Sequence, residues 1–142
     1  MVSYEEWERA VPEHVQHGPI WSLRIYRTAL YAGEIGRRDA ASLAKEPEWA
    51  DLADQLRRAT GSISANIAEG YSRLGRRDRG KFYEYALGSA RESRDSYYKA
   101  RTPLGEHAAT ARFSLMTTLI KVLIVLISKS RLPVKPKIPS NP

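Results

Sequence analysis

The sequence predicts an all-α fold, an antiparallel up-down-up-down four-helix bundle. Apolar residues recur at spacings of three and four from residue 19 to about residue 131, the periodicity of amphipathic helices. Alternating β-branched runs between turn residues, which would predict strands, are nearly missing. The chain has 142 residues, 42% hydrophobic and 27% charged, so one globular domain is expected. We divide it into an acidic N-terminal segment (1–17), the bundle (18–131) and a proline- and lysine-rich flexible tail (132–142).

The first bundle helix is expected to begin after Pro19 and to end near Leu43 or Lys45. Glycine inside a helix is about 1 kcal/mol less favourable than alanine, so a kink is expected near Gly33 and Gly36. The predicted apolar stripe is Leu23, Tyr26, Leu30, Gly33 and Ile35.

The second helix is expected to begin at residues 46–48, where a proline lies between two carboxylates, and to end at Gly70. Its apolar seam repeats every three or four residues, which is typical of near-antiparallel bundle packing. Asn66 lies on this seam, where a polar side chain usually fixes register or oligomeric state. The seam consists of Leu52, Leu56, Ala59, Ile63, Asn66, Ile67 and Gly70.

The third helix is expected to open at Arg77 and Asp78, with the acid in its first turn, and to end at Pro103 and Gly105. Its predicted face is Phe82, Ala86, Ser89, Ser93, Tyr97 and Ala100, widened by Tyr83, Leu87, Ala90 and Tyr98. The short connections between the helices predict the antiparallel topology.

The fourth helix spans residues 106–130, and its residues 119–127 are apolar on nearly every side. This run is too short to cross a bilayer, which needs about 20 apolar residues. A helix that is apolar all round is expected to be buried all round, whereas a lone bundle leaves one face exposed. The surplus apolar face therefore predicts burial against another subunit, with a more generous core in one chain as the alternative.

The two ends of the chain differ in charge. Residues 1–17 are acidic and form either a short docking helix, built on Tyr4, Trp7, Ala10 and Val11, or a disordered segment. They lack the apolar run of a signal peptide, so a cytoplasmic protein that does not associate with membranes is expected. The tail contains four of the eight prolines and no acidic residue, so it cannot continue a helix.

No constellation of catalytic residues is recognisable, so we expect a protein that is not an enzyme. The histidines His14, His17 and His107 have neither metal-binding nor catalytic spacing, and cysteine is absent. Phosphate-binding loops with the GxxxxGK[ST] or GxGxxG pattern do not occur. We therefore expect no metal and no cofactor.

Charge is the clearest functional signal. Lys and Arg number 23 against 16 Asp and Glu, a formal charge of +7 that favours polyanionic partners or solubility. In an up-down bundle the loop between the second and third helices lies at the same end as the chain termini. One polycationic surface is expected there, with a solvated helix end as the alternative. The candidate phosphate contacts are Arg73, Arg76, Arg77, Arg79, Lys81, Lys129, Arg131, Lys135 and Lys137.

A polar group on the second helix has two interpretations. Glu69 precedes Arg73 by four residues, the favoured orientation for an ion pair, and Arg91 or Arg94 on the third helix is another possible partner. Glu69 could then be an active carboxylate, or it could belong with Asn66 to a hydrogen-bonded network that ties the second helix to the third. We favour the structural network.

Residues 55–73 read QLRRATGSISANIAEGYSR, and Phe82, a Leu-Gly-Ser-Ala run at residues 87–90 and Glu92 follow. With these motifs, residues 19–131 resemble a bacterial four-helix-bundle family. It includes proteins encoded in intervening sequences of 23S ribosomal RNA genes and the Avd accessory proteins of diversity-generating retroelements. The resemblance implies a homopentameric barrel, with Arg57, Arg58, Asn66, Glu69 and Gly70 as architectural residues.

The leading hypothesis is an Avd-like accessory protein. By resemblance, such a protein binds RNA or DNA through a basic surface and also binds the retroelement reverse transcriptase. One alternative is an intervening-sequence-type protein, for which the resemblance implies no biochemical role. Another is a protein-interaction module whose basic end docks an acidic partner.

Overall fold

The computed structural model describes residues 2–132, which contain seven α-helices and no strand. This confirms the prediction of an all-α helical bundle. The expectations for Lys135, Lys137 and most of the tail lie outside the described residues. The long helices are α3 (Arg24–Leu43), α4 (Ala50–Ser72), α5 (Arg76–Lys99) and α7 (Glu106–Arg131). The short ones are α1 (Tyr4–Ala10), α2 (Glu13–Gln16) and α6 (Arg101–Leu104), with 3-10 turns at Pro19–Ser22 and Pro47–Trp49.

The four long helices bury one common core. Helix α4 packs along both α3 and α5, α5 packs along α7, and the contact between α3 and α7 is much smaller. Full burial of one large apolar side chain contributes about 1.5–3 kcal/mol, so this core supplies the main driving force for folding. Its largest fully buried apolar side chains are Leu56, Ile63, Ile67, Tyr97, Met116, Leu119 and Leu123.

Helix α3 buries a different face from the predicted one. Leu23, Tyr26 and Leu30 are only half-buried. Half of the core-facing residues are alanine or glycine, which lets α3 approach α4 closely and explains why a stripe chosen mainly from large residues was wrong at most positions. The buried residues are Ile25, Ala29, Tyr31, Ala32, Ile35, Gly36, Ala40 and Leu43.

Gly36 serves close packing rather than a kink. Helix α3 runs unbroken from Arg24 to Leu43, so the expected break near Gly33 and Gly36 is wrong. A Cβ atom at Gly36 would lie 2.5 Å from the Cβ and 2.6 Å from the Cγ2 of Thr60 on α4. The Thr60 side chain fills the space beside Gly36, so only a hydrogen atom fits at this position.

Helix α4 confirms the predicted seam at most positions. Leu56, Ala59, Ile63, Ile67 and Gly70 are buried as expected. Ala53 and Thr60 are buried as well, whereas Leu52 and Asn66 are half-buried. The seam was therefore placed correctly, but Asn66 lies at the edge of the buried face and not at its centre.

Helix α5 turns its aromatic residues differently from the prediction. Tyr83, Ala86, Ala90, Ser93 and Tyr97 are buried. Phe82 is only half-buried and Tyr98 is 54% exposed, so two of the predicted core aromatic residues lie at the surface. Helix α5 ends at Lys99, and α6, which contains Pro103, leads to Gly105 at a φ of +87°, where α7 begins. That φ is in the left-handed region that favours glycine.

The acidic N-terminal segment is a docked helix, so the first of the two alternatives for residues 1–17 is correct. Ser3 and Glu6 form a capping box that starts α1. The Tyr4 and Trp7 rings each lie 5.5 Å from the Tyr31 ring on α3, between centroids. The Tyr31 hydroxyl donates a hydrogen bond to the Val2 carbonyl oxygen at 2.9 Å. Aromatic packing therefore holds the segment against α3.

Helix α7 is buried on one face only, so one chain leaves an apolar face exposed, as expected for a lone bundle, and the alternative of a more generous core is wrong. The exposed side chains include Val122, Ile124 and Val125, of which Val125 is 52% exposed. By length and composition alone α7 could cross a membrane, and 28% of its most apolar window is buried. The apolar part of α7 is therefore longer than residues 119–127, the run identified from the sequence. The buried face consists of Ala109, Arg112, Met116, Leu119, Leu123 and Ile127.

Candidate nucleic-acid interface

Two cationic segments meet at one end of the bundle. The Arg76 guanidinium (Nη2) donates a hydrogen bond of 2.8 Å to the carbonyl oxygen of Lys129, which joins the first turn of α5 to the last turn of α7. At Gly80 a Cβ atom would press against the Ser130 side chain, so these two turns approach closely. We call the resulting surface the basic end; it comprises Arg73, Arg76, Arg77, Arg79, Lys81, Lys129 and Arg131.

The basic end keeps a surplus of positive charge after its ion pairs are formed. Arg73 pairs with Glu69 at 2.6 Å, and Arg131 pairs with Glu84. The Arg79 Nε donates to the Arg73 carbonyl oxygen at 2.7 Å, which leaves its charge uncompensated. Within residues 2–132, the side chains of Arg76, Arg77, Arg79, Lys81 and Lys129 form no ion pair. These five cations remain available to anions.

A groove of about 780 Å³ opens beside the first turns of α5. The N-cap residue of α5 is Gly75, whose lack of a side chain leaves the first amide groups without a side-chain cap. Such a helix end carries about half a positive charge, which Asp78 in the first turn partly offsets. The groove is lined by Arg77, Asp78, Gly80, Lys81, Glu84, Ser130 and Arg131.

Two aromatic side chains border the basic end. The Phe82 and Tyr85 rings meet edge to face, with centroids 5.5 Å apart. The Arg73 guanidinium lies 4.7 Å above the Phe82 ring, and the Lys81 ammonium lies 6.0 Å from the Tyr85 centroid. Tyr85 is 49% exposed and was not singled out from the sequence. Its spacing of four from Lys81 was the available signal.

The architectural motif on α4 makes its hydrogen bonds within α4. The Asn66 amide (Nδ2) donates to the Ser62 carbonyl oxygen at 2.9 Å, and Glu69 pairs with Arg73 as the first expectation had it. For the described residues, the favoured network from Asn66 and Glu69 across to α5 is therefore wrong. An intrahelical bond is the nearer choice for a half-buried amide.

Arg57 and Arg58 also pair within α4. Both contact Asp54, at 2.7 Å and 3.1 Å. The hydrogen bond from Arg57, followed by the charge of Arg58, lowers the pKa of the Asp54 carboxyl. Exposed pairs of this kind contribute little to stability, so the two arginines are surface residues here.

A buried polar cluster, missed from the sequence, joins three helices. Asp39 on α3 accepts hydrogen bonds from Arg112 Nε at 2.7 Å and Nη2 at 3.0 Å, and from the Tyr97 hydroxyl at 2.8 Å. Burial, with the neighbouring Asp39 carboxylate, raises the pKa of Tyr97, and the hydrogen bond to Asp39 raises the pKa of Arg112. The signal was an arginine on the buried stripe of α7, where a charge needs a partner.

The three histidines lie in separate parts of the chain and do not form a metal-binding or catalytic cluster among the described residues. His14 lies in α2, His17 follows that helix and lies 3.4 Å from Glu13, and His107 lies in the first turn of α7. Among the described residues, no group of three or more histidine, aspartate or glutamate side chains is placed to hold a metal ion.

Comparison with known protein families identifies the family of this chain. A family model described as 23S rRNA-intervening sequence protein matches residues 23–121, which include all of α3, α4 and α5 and most of α7. The chain belongs to this family. The match to the 23S rRNA-intervening sequence protein family confirms the suspected resemblance and agrees with the intervening-sequence alternative. It gives no support to the Avd assignment or to a reverse transcriptase as partner. No curated protein and no solved structure matches the chain significantly.

Proposed function

We propose that this member of the 23S rRNA-intervening sequence protein family is a non-enzymatic, homo-oligomeric scaffold that binds nucleic acid at its basic end. The observation that carries the proposal is the Arg76–Lys129 contact, which brings two cationic segments onto one surface. Guanidinium groups bind phosphate oxygens by paired, charge-assisted hydrogen bonds. Phosphate contacts of this kind position a nucleic acid with little reading of its sequence.

In an antiparallel bundle the two cationic segments lie at the same end and together form the basic end. Gly70 near the end of α4 lies against Tyr83 near the start of α5, and Arg76 lies against Lys129. Both contacts support alternating helix directions. Such alternation places the loop before α5 and the last turn of α7 at one end, from which residues 133–142 continue the chain.

The exposed apolar face of α7 supports assembly. Val122, Ile124 and Val125 are exposed large apolar side chains on one helix, which we call its apolar patch, and exposed apolar surface is typical of interaction sites. Burial against a second copy removes this surface from water at about 25 cal/mol per Å². By resemblance the assembly is a pentameric barrel, which would repeat the basic end around a ring and multiply its field.

The first test measures phosphate contacts through salt dependence. Alanine at both Arg76 and Arg77 is expected to weaken binding to duplex DNA and to flatten the slope of log K against log salt by about 1.8, since each lost contact contributes about 0.9. Fluorescence anisotropy across a salt series measures both quantities. Arg76→Lys with Arg77→Lys keeps the charges and is expected to keep the slope.

A matched control removes the same charge elsewhere. Arg37 and Arg38 pair with Glu34 on α3, at 2.9 Å and 3.1 Å, and their double alanine variant should keep the parent slope. Equal slopes for the two double variants would contradict the assigned surface. The interaction-module alternative predicts a different result: the parent protein would bind an acidic protein that generic RNA does not displace, and the Arg76 and Arg77 double alanine variant would lose that binding.

The second test concerns assembly. Val125→Glu places a charge in the exposed patch and is expected to shift the protein from oligomer to monomer, because an unpaired charge is costly in an apolar interface. Light scattering coupled to size-exclusion chromatography measures the mass. Ala41→Glu on an exposed face of α3 is the matched control and should keep the parent mass. A monomeric parent protein would contradict the assembly. If the parent protein instead binds lipid vesicles and is recovered with them, the patch is a membrane-binding surface.

A further inference from the structure

Tyr85 is an exposed aromatic ring next to a cluster of cations. It lies one helical turn beyond Lys81, whose ammonium is 6.0 Å from the ring centroid. Nearly half of its surface, 49%, is exposed to solvent although the ring is large and apolar. The neighbouring Phe82 ring packs against it edge to face, and Arg73 covers Phe82 in turn. The ring is therefore held in place and open to solvent.

This combination fits one chemical class. A nucleotide presents a flat, π-rich base joined through one sugar to a phosphate, so it matches an exposed ring beside a cation. Stacking on an aromatic side chain requires an accessible base face. In a duplex both faces of each base are occupied by neighbouring bases, whereas single strands and loops can offer them.

We propose that Tyr85, positioned by Phe82, is a stacking platform for bases of a single-stranded nucleic acid whose phosphates contact Lys81 and the basic end. The inference rests on the proposed function and sharpens it, since it names the strand state of the ligand. Contacts to phosphate alone do not distinguish a single strand from a duplex of equal charge. The stacking platform supplies that preference.

Tyr98 provides a matched comparison on the same helix. It is 54% exposed, close to the value for Tyr85, and lies thirteen residues further along α5. The guanidinium of Arg101 lies 3.9 Å above its ring centroid and covers that face. Tyr98 also lies near the end of α5 that is remote from the basic end. Alanine at either tyrosine removes a similar exposed ring.

The experiment compares three probes of equal length by fluorescence anisotropy. The probes are a single-stranded RNA, a duplex RNA, and a single strand in which the bases are replaced by abasic sites. The parent protein is expected to bind the RNA single strand more tightly than the abasic strand. Tyr85→Ala is expected to weaken single-strand binding about 5- to 30-fold, bringing it towards the abasic strand, with the salt slope unchanged.

Two variants separate stacking from other effects. Tyr85→Trp keeps an aromatic face and is expected to retain the preference for bases. Tyr98→Ala is expected to bind all three probes as the parent does, and circular dichroism of both alanine variants checks that the helices remain folded.

Each outcome bears on one proposal or on both. Equal weakening of all three probes by Tyr85→Ala, or no weakening, overturns the stacking platform and leaves phosphate binding intact. A parent protein without preference for bases does the same. A parent protein that binds none of the three probes at low salt overturns the proposed function together with this inference.

Discussion

Replacing Asp39 with alanine is expected to lower the free energy of unfolding by about 3–5 kcal/mol. The Asp39 carboxylate accepts two hydrogen bonds from Arg112 and one from the Tyr97 hydroxyl, so one substitution removes the acceptor of three hydrogen bonds from two buried side chains. The ion pair is largely shielded from water, since its side chains are 12% and 9% exposed. A guanidinium that loses its carboxylate in such a place cannot recover its hydration.

Urea denaturation followed by circular dichroism at one fixed protein concentration measures this loss. Asp95→Ala is the control, because Asp95 pairs with Lys99 at 2.7 Å on an exposed face, and it should leave the midpoint nearly unchanged. The double variant Asp39→Leu with Arg112→Met is expected to be more stable than Asp39→Ala alone, since it removes both charges together. An Asp39→Ala midpoint equal to that of Asp95→Ala would show that the cluster does not tie the helices together.

Replacing Gly36 with alanine is expected to destabilise the bundle by about 3 kcal/mol, the upper end of the usual cost of overpacking. The new methyl group would lie 2.5 Å from the Thr60 Cβ and 2.6 Å from its Cγ2, closer than carbon atoms approach in proteins. The Thr60 side chain is fully buried, so it has no free space to move into. The helices α3 and α4 must therefore separate.

Gly61→Ala is the matched control on the facing helix. A Cβ atom there meets nothing within 4 Å, so the variant is expected to gain up to about 1 kcal/mol from the higher helix propensity of alanine. Thermal unfolding of both variants measures the difference. Adding Thr60→Gly to Gly36→Ala should recover part of the loss, because it removes the atoms that clash. Similar unfolding temperatures for Gly36→Ala and Gly61→Ala would contradict the close approach.

Helix positions follow from local signals, which is why they were predictable. Pro47 with its flanking acids marked the start of α4, and Gly105 marked the junction before α7. The seam of α4 was visible because large residues such as Leu56 and Ile63 carry it. The buried face of α3 was harder to predict because half of its residues are alanine or glycine, and large residues such as Tyr26 and Leu30 lie at its edge.

The candidate interface was predictable in its composition and incomplete in its detail. A charge run such as residues 73–81 is a property of the chain, and the expectation of up-down connectivity predicted that the basic loop would lie near the end of the last helix, where Arg76 contacts Lys129. The aromatic border was missed because helical spacing assigned Phe82 to the core. Its exposure depends on the rotation of α5 between α4 and α7, which the period of one helix leaves undetermined.

The sequence by itself determined the all-α fold, the approximate bounds of the four long helices and the surplus of positive charge, because periodicity, helix-end residues and charge are local properties. Only the tertiary structure decided which donors share the Asp39 carboxylate, why Gly36 must lack a side chain and which tyrosines remain exposed. These facts depend on helix rotation and on the distance between helices. Packing among all four helices sets both quantities, and no single segment of the chain contains them.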